Sequence, residues 1–245
     1  MVFDHPERRN AISVDMWRQI PEAARELDGD ADVRVVLLRG VGDVAFVSGA
    51  DISEFEETRI GPKAAAYDEL NQVAYAAISA IGKPVIAMVH GFCVGGGTAI
   101  ALSADLRYAA DDAQFGVPAA KLGLGYDPHG IATLVGVVGP SAALEVFFTA
   151  RRFDAREALE RRLVNAVLPK AELESHVCDI AIGIAANAPM TLSSVKKIVG
   201  ELSSDPAERD VAGMQAAVRA CFDSDDYQEG IRAFLEKRAP VFRGR

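Results

Sequence analysis

The stretch that decides the fold is Lys83–Tyr108, with the sequence KPVIAMVHGFCVGGGTAIALSADLRY. It begins with an apolar run of strand length, Pro84–Val89, in which the proline stands first, where a missing backbone donor does least harm. Three glycines, Gly95–Gly97, come next, and a segment rich in Ala, Leu and Ile follows, with the composition of a buried helix. Glycines at a strand-to-helix junction let the backbone approach a ligand closely, and the helix start offers unpaired N–H groups. The junction therefore predicts a site for a phosphate or for the oxygen of a polarised carbonyl.

Motif spacing argues against the phosphate. Gly91 and Gly96 have the G-x-x-x-x-G spacing of a P-loop, and Thr98 falls at its Ser/Thr position. Gly97 stands where the phosphate-binding lysine belongs, and the glycines do not follow the dinucleotide-binding pattern G-x-G-x-x-G. Close packing of the helix on the strand is an alternative explanation of the glycine cluster.

Composition narrows the class of protein. A chain of 245 residues, half of them hydrophobic, can bury one sizeable core, and a net charge of −9 disfavours a nucleic-acid surface. Three widely spaced cysteines suggest no disulfide framework, and neither they nor the four histidines have the spacing of metal ligands, so no metal is expected. There is no apolar run of about 18 residues and no signal peptide, so we expect a soluble, cytoplasmic protein.

Hydrophobic periodicity predicts an α/β layered protein. Short strands alternate with helices up to about residue 150, and helices dominate the remainder. Ser13 is the expected N-cap of the first helix. The predicted strands lie at 1–3, 33–38, 84–89, 105–109 and 163–168, and a short strand edge opens the segment 43–54. The predicted helices lie at 13–27, 63–81, 130–138, 141–149, 155–161, 170–186, 189–202, 206–222 and 225–237.

Five segments, taken in order, resemble the crotonase superfamily of enoyl-CoA hydratases and isomerases. They are HPERRNAIS (5–13), AFVSGADISEF (45–55), HGFCVGGGTAIALSADLRYA (90–109), FGVPAAKLGLG (115–125) and EGIRAFLEKRAPVFRG (229–244). The resemblance implies a ββα superhelical core over residues 1–185 and a C-terminal helical oligomerisation region over 186–245. It implies a homotrimer or a dimer of trimers, an acyl-CoA thioester substrate, a place in fatty acid metabolism, and no cofactor beyond the coenzyme A of the substrate.

By the same resemblance, the backbone N–H groups of Ala50 and Gly96 form an oxyanion hole for the thioester oxygen. Backbone donors suit this task because negative charge develops on that oxygen when the α-proton leaves or a nucleophile attacks. The residues implied to contact coenzyme A are Arg8, Arg9, Ala11, Ser48, Asp51 and Ile52, together with Phe234 and Lys237 from a neighbouring subunit. A solvated charged surface is the alternative for the basic members of this set.

The chain departs from the family pattern at two positions. Hydratases of the family have two glutamates that hold and activate water, and their places here are occupied by Ala99 and Ala119. Alanine transfers no proton, and each lost acid/base group typically costs a factor of about 10²–10⁴ in rate. Hydration by the usual two-carboxylate route is therefore not expected. The two small side chains also suggest room for a bulkier acyl group.

Asp127 is the candidate replacement. At the matching loop position, dienoyl-CoA isomerases of the superfamily have an acid/base aspartate, and chlorobenzoyl-CoA dehalogenase has a nucleophilic one. Tyr126 and His129 flank Asp127 and could orient it or share its proton. The alternative is a turn aspartate that caps the helix at 130–138. The predicted function is an isomerase or C–C hydrolase that uses Asp127, and the alternatives are a non-catalytic acyl-CoA-binding homologue or an atypical hydratase.

Overall fold

The computed structural model describes residues 1–245, which form nine short strands and eleven α-helices. The strands in chain order are β1 (Val2–Phe3), β2 (Val36–Gly40), β3 (Ala45–Val47), β4 (Val85–Val89), β5 (Phe92–Val94), β6 (Leu106–Ala110), β7 (Gln114–Gly116), β8 (Phe153–Asp154) and β9 (Ala166–Leu168). The helices are α1 (Val14–Gly29), α2 (Phe55–Thr58), α3 (Lys63–Ser79), α4 (Gly96–Leu102), α5 (Pro128–Val138), α6 (Pro140–Thr149), α7 (Ala155–Glu160), α8 (Lys170–Ala185), α9 (Pro189–Ser203), α10 (Val211–Phe222) and α11 (Asp225–Glu236). Short 3₁₀ turns occupy Pro6–Arg8, Ile52–Glu54 and Pro118–Leu122.

The strands form two sheets that the chain visits alternately. One sheet has the order β1-β2-β4-β6-β9 and is entirely parallel, and the other has the order β3-β5-β7-β8, in which only β7 and β8 run antiparallel. Each of the pairs β2–β3, β4–β5 and β6–β7 places its first strand in the larger sheet and its second strand in the smaller one. This repeated ββα course confirms the predicted α/β class.

The central strand β4 is buried along its whole length, as its continuous apolar sequence predicts. The glycine junction follows directly: β5 ends at Val94, Gly95 has a φ of +54°, and α4 begins at Gly96. Its ψ is −116°, and this combination of angles lies outside the left-handed helical region, so it is readily adopted only by glycine. The triplet therefore turns the chain from the smaller sheet into a helix within two residues.

Most predicted elements are confirmed within a few residues. Ser13 caps α1 by accepting a hydrogen bond from the N–H of Met16, at 3.2 Å. The second strand begins three residues later than predicted, at Val36, and α10 begins at Val211 rather than at 206. The short strands β5, β7 and β8 were not predicted, because strands of two or three residues give too little periodicity to be distinguished from loops.

The C-terminal helices differ from the core in burial. Trp17, Phe46, Phe115 and Ile100 are fully enclosed in the main core, whereas α9 buries one residue, Ser194, and α10 buries none. The division at residue 185 stays a prediction. No single helix is long and apolar enough to cross a membrane, and α8 and α9, which meet at 105°, have that length and composition only when counted together.

Candidate active site

The candidate site is a cavity at the place where β3 ends and α4 begins. It encloses about 900 Å³, including its solvent-filled mouth. Its walls come from α1, the residues after β3, one face of α3, the glycine junction and the segment 117–130. Three separate segments of the family resemblance therefore meet around one space.

Ala50 and Gly96 both line this cavity with unpaired backbone donors. Ile12 forms a parallel bridge with Ala50: its N–H donates to Gly49 at 2.8 Å, and its carbonyl accepts from the N–H of Asp51 at 2.9 Å. This pattern bonds the two neighbours of Ala50 and leaves the N–H of Ala50 without an acceptor in the chain. Gly96 is the first residue of α4, so its N–H has no partner within the helix, and it finds none elsewhere.

The glycines let α4 start against β3 and α1. A Cβ on Gly97 would lie only 2.9 Å from the carbonyl carbon of Val47, the last residue of β3. A Cβ on Gly96 would lie 3.2 Å from the ring of Trp17 and 3.4 Å from the hydroxyl of Tyr75. A side chain at Gly97 would therefore force the helix start away from the end of β3, and one at Gly96 would press on Trp17 and Tyr75.

Ala99 and Ala119 also line the cavity, and Ala119 is buried. The positions that the family resemblance marks for glutamates therefore present methyl groups to the cavity. Its only carboxylates belong to Asp68 and Asp127.

Asp127 lies in the cavity wall and is partly buried. One oxygen, Oδ2, accepts a hydrogen bond from the N–H of Gly130 at 3.1 Å, so Asp127 caps α5, as the alternative in the sequence analysis states. The other oxygen, Oδ1, accepts from Nε2 of Gln72 on α3 at 2.8 Å. The cap and the amide together fix the carboxylate at the cavity.

The two neighbours of Asp127 differ in placement. Tyr126 lines the cavity, and its ring packs edge-on against Phe147 at a centroid distance of 4.9 Å. Burial raises the pKa of Tyr126 to about 12, so its hydroxyl stays protonated at neutral pH and can donate a hydrogen bond. His129 is exposed in the first turn of α5 and does not line the cavity.

The sequence analysis missed the polar residues that α3 contributes to the cavity. They are Asp68, Asn71 and Tyr75, at positions i, i+3 and i+7, which share one face of a helix. Asp68 pairs with Arg59 at 2.7 Å. The spacing was visible in the sequence, but it looks the same as that of an ordinary solvent-facing stripe.

Burial raises the pKa of Tyr75 well above its usual value, so this hydroxyl is protonated at neutral pH. It makes no hydrogen bond within the chain, although it lies beside Gly96.

The residues expected to contact coenzyme A fall into two groups, of which the first surrounds the start of the chain and the residues after β3. The Ser48 hydroxyl donates to the carbonyl oxygen of Arg8 at 3.1 Å, and the backbone N–H of Ser48 donates to the carbonyl oxygen of Arg9 at 3.2 Å. Ser48 and the exposed Ile52 line the cavity. The remaining two residues, Ala11 and Asp51, are buried nearby.

Asp51 caps the 3₁₀ turn that follows it, and the hydrogen bond from the Ser53 hydroxyl lowers the pKa of its carboxyl. The second group, Phe234 and Lys237, lies at the end of α11 and does not line this cavity. Phe234 is 83% exposed.

Comparisons with known proteins agree with this geometry. A family model described as enoyl-CoA hydratase/isomerase matches residues 1–245. The chain belongs to this family.

Named relatives and solved structures support the same conclusion. The chain is 35% identical over 242 residues to a short-chain-enoyl-CoA hydratase from Clostridium acetobutylicum, covering 97% of this chain and 91% of that protein. It is 31% identical over 254 residues to a peroxisomal Delta(3,5)-Delta(2,4)-dienoyl-CoA isomerase from Arabidopsis thaliana, covering 99% and 91%. The crystal structure of an enoyl-CoA hydratase/carnithine racemase from Magnetospirillum magneticum superposes with a TM-score of 0.95 at 38% identity, covering 100% of this chain and 91% of that one.

Membership confirms the crotonase resemblance and the crotonase fold. As a member of the enoyl-CoA hydratase/isomerase family, the chain is an acyl-CoA enzyme of the lyase or isomerase class. The two named relatives catalyse different reactions, so the residues around the cavity must distinguish between them.

Proposed function

We propose that the chain binds an acyl-CoA thioester with its carbonyl oxygen between the N–H groups of Ala50 and Gly96. The observation that supports this proposal is the pair of unpartnered backbone donors lining one cavity, one of them at the start of α4. Negative charge forms on the thioester oxygen when the α-carbon loses a proton. Fixed donors stabilise that charge without reorganising, and each such donor is typically worth about 3–4 kcal/mol.

Within this proposal, Asp127 is the acid/base group that moves a proton on the bound acyl chain. Its support is its position in the cavity wall and the methyl groups of Ala99 and Ala119, which leave few carboxylates within the cavity. Asp127 removes a proton from the carbon next to the thioester. The two N–H groups donate hydrogen bonds to the enolate oxygen, and the proton is returned at another carbon. This sequence is an isomerisation. Hydrolysis of a C–C bond by water in the same site would release the enolate as the leaving group. Tyr126, which is protonated, assists Asp127 in the proposal, whereas the exposed His129 lies outside the cavity and takes no part in the proton transfer.

The test is deuterium exchange from solvent into the α and γ carbons of bound acyl-CoA substrates, followed by NMR. Asp127→Asn should lower the exchange rate by a factor of about 10²–10⁴, because the amide accepts no proton. Asparagine also caps helices, so α5 should remain folded. Asp154→Asn is the matched control, because Asp154 caps α7 by the same contact and does not line the cavity. Equal exchange rates in wild type and Asp127→Asn would refute the role of Asp127.

Two other outcomes would identify a different function. A wild-type protein that binds acyl-CoA but exchanges no proton across a diverse panel would be a non-catalytic binding homologue. Water addition to crotonyl-CoA that is lost in Asp127→Asn would identify an atypical hydratase, which the name of the Clostridium acetobutylicum relative favours.

We further propose that coenzyme A lies along Arg8, Arg9, Ala11, Ser48, Asp51 and Ile52, and that a second copy supplies Phe234 and Lys237. The support is the exposure of Phe234 together with that of Leu235, at 74%, side by side near the end of α11. The assembly is a homotrimer or a dimer of trimers, and no cofactor beyond coenzyme A takes part. Light scattering should give three or six times 26.1 kDa, and a monomer in solution would contradict the proposal.

A further inference from the structure

A stripe of polar side chains crosses the cavity on α3. Tyr75 lies beside Gly96, and Asn71 and Asp68 follow on the same face of the helix. Since an α-helix rises about 1.5 Å per residue, Asn71 lies about 6 Å from Tyr75 along the axis. The stripe therefore leads away from the proposed thioester position.

Arg59 approaches the far end of this stripe. Its guanidinium donates to Oδ1 of Asp68 at 2.7 Å and stacks on the rings of Phe55 and Tyr67, at 5.1 and 4.9 Å. Its side chain is only 13% exposed. Its Nε is fully buried and has no hydrogen-bond partner, so part of its donor capacity is unused.

Asn71 also has a buried polar atom without a hydrogen-bond partner. The residue is 8% exposed, its Oδ1 is buried without a partner, and its side chain makes no hydrogen bond in the chain. Buried polar groups are almost always hydrogen-bonded, and those that are not need an explanation. Arg59 and Asn71 both line the substrate cavity, so a polar group of the ligand is the explanation that the geometry favours.

Charge decides what kind of polar group fits. Arg59 is the only basic residue that lines the cavity, and Asp68 already neutralises it, while Asp127 adds a second carboxylate. A ligand carboxylate would meet net negative charge in an enclosed site, where repulsion is strong. A neutral hydroxyl both accepts and donates, so it can pair with an N–H of Arg59 and with Oδ1 of Asn71.

We infer that the cavity selects an acyl group bearing a neutral hydroxyl beyond its β carbon, held by Arg59 and Asn71. This inference rests on the proposed binding of an acyl-CoA thioester at Ala50 and Gly96. Binding requires the two side chains to turn their buried polar atoms towards the hydroxyl. An alkyl chain of equal length leaves both groups unpaired and binds more weakly.

The experiment measures the Kd of four ligands by calorimetry: hexanoyl-CoA, 5-hydroxyhexanoyl-CoA, 6-hydroxyhexanoyl-CoA and adipoyl-CoA, with free coenzyme A as reference. At least one hydroxylated thioester should bind about tenfold more tightly than hexanoyl-CoA, a difference of about 1.4 kcal/mol. Adipoyl-CoA should bind more weakly than that thioester. Asn71→Leu, which keeps the branching and the number of heavy atoms of the side chain, should remove most of the preference for the hydroxyl, whereas Glu69→Gln, an exposed change on the same helix, should leave it intact.

The outcomes distinguish a failure of this inference from a failure of the proposed acyl-CoA binding. Equal affinities for hexanoyl-CoA and both hydroxylated thioesters, or tightest binding of adipoyl-CoA, would overturn the inference while acyl-CoA binding stands. If no thioester binds more tightly than free coenzyme A, the proposed function fails and the inference fails with it. The wild-type ligand series decides these cases even if Asn71→Leu does not fold.

Discussion

Replacing Gly97 by alanine should push the start of α4 away from β3. The new Cβ would clash with the carbonyl oxygen of Val47, and it would lie 2.9 Å from the carbonyl carbon and 3.0 Å from the Cβ of the same residue, where ordinary contacts begin at 3.4 Å. The helix must therefore move by about half an ångström or more, because the atoms it meets belong to a buried strand. Overpacking of this kind costs about 1–3 kcal/mol, and the better helix propensity of alanine returns up to about 1 kcal/mol. We expect a net loss of about 1–2 kcal/mol in the free energy of unfolding.

The same shift should impair ligand binding, because it moves Gly96 relative to Ala50. Urea unfolding at fixed protein concentration measures the first effect, and calorimetric titration with an acyl-CoA measures the second. Gly183→Ala is the matched control: Gly183 is an exposed residue of α8, nothing lies within 4 Å of its new Cβ, and a gain of about 0.5–1 kcal/mol is expected. A Gly97→Ala protein as stable as wild type, with unchanged affinity, would refute the close approach of α4 to β3.

Three further predictions follow from buried groups. Burial raises the pKa of the Cys93 thiol, so a thiol reagent should label Cys178 long before Cys93 in the native protein, and equal rates by mass spectrometry would contradict its enclosure. Burial raises the pKa of Tyr126 to about 12, above its value in the unfolded chain, so its contribution to stability is complete below about pH 10 and is lost as the pH rises towards 12. Tyr126→Phe should therefore reduce the fall in unfolding free energy over that range, and an unchanged slope would refute the assignment. Arg107 is buried and donates to three backbone carbonyls, so Arg107→Met should cost about 1–3 kcal/mol in urea unfolding, and a neutral effect would show that water replaces the guanidinium.

The fold could be predicted from the sequence because its decisive features are local. The apolar run of β4 and the glycines after it set a strand, a sharp turn and a helix start by their own conformational preferences, and the structure places α4 at Gly96 as the spacing implies. The family could be predicted for a related reason: five motifs in a fixed order restrict the fold far more than any one of them.

The short strands and several residues of the cavity could not be predicted in this way. The pairing of β7 with β5, for example, depends on where the superhelix places two three-residue segments, not on the segments themselves. Similarly, Gln72 carries no signal in its own helix, and its hydrogen bond to Asp127 exists only because α3 packs beside the loop before α5.

The sequence by itself determined the alternation of strands and helices, the glycine junction and the presence of alanine at positions 99 and 119, because each depends on residue type and short-range spacing. Only the tertiary structure decided which polar groups face the same cavity, since that depends on how distant elements stack. The unpaired amide of Asn71 beside the Arg59–Asp68 ion pair is of this second kind. The cavity walls around it belong to different elements, and only their packing excludes the water that would otherwise satisfy it.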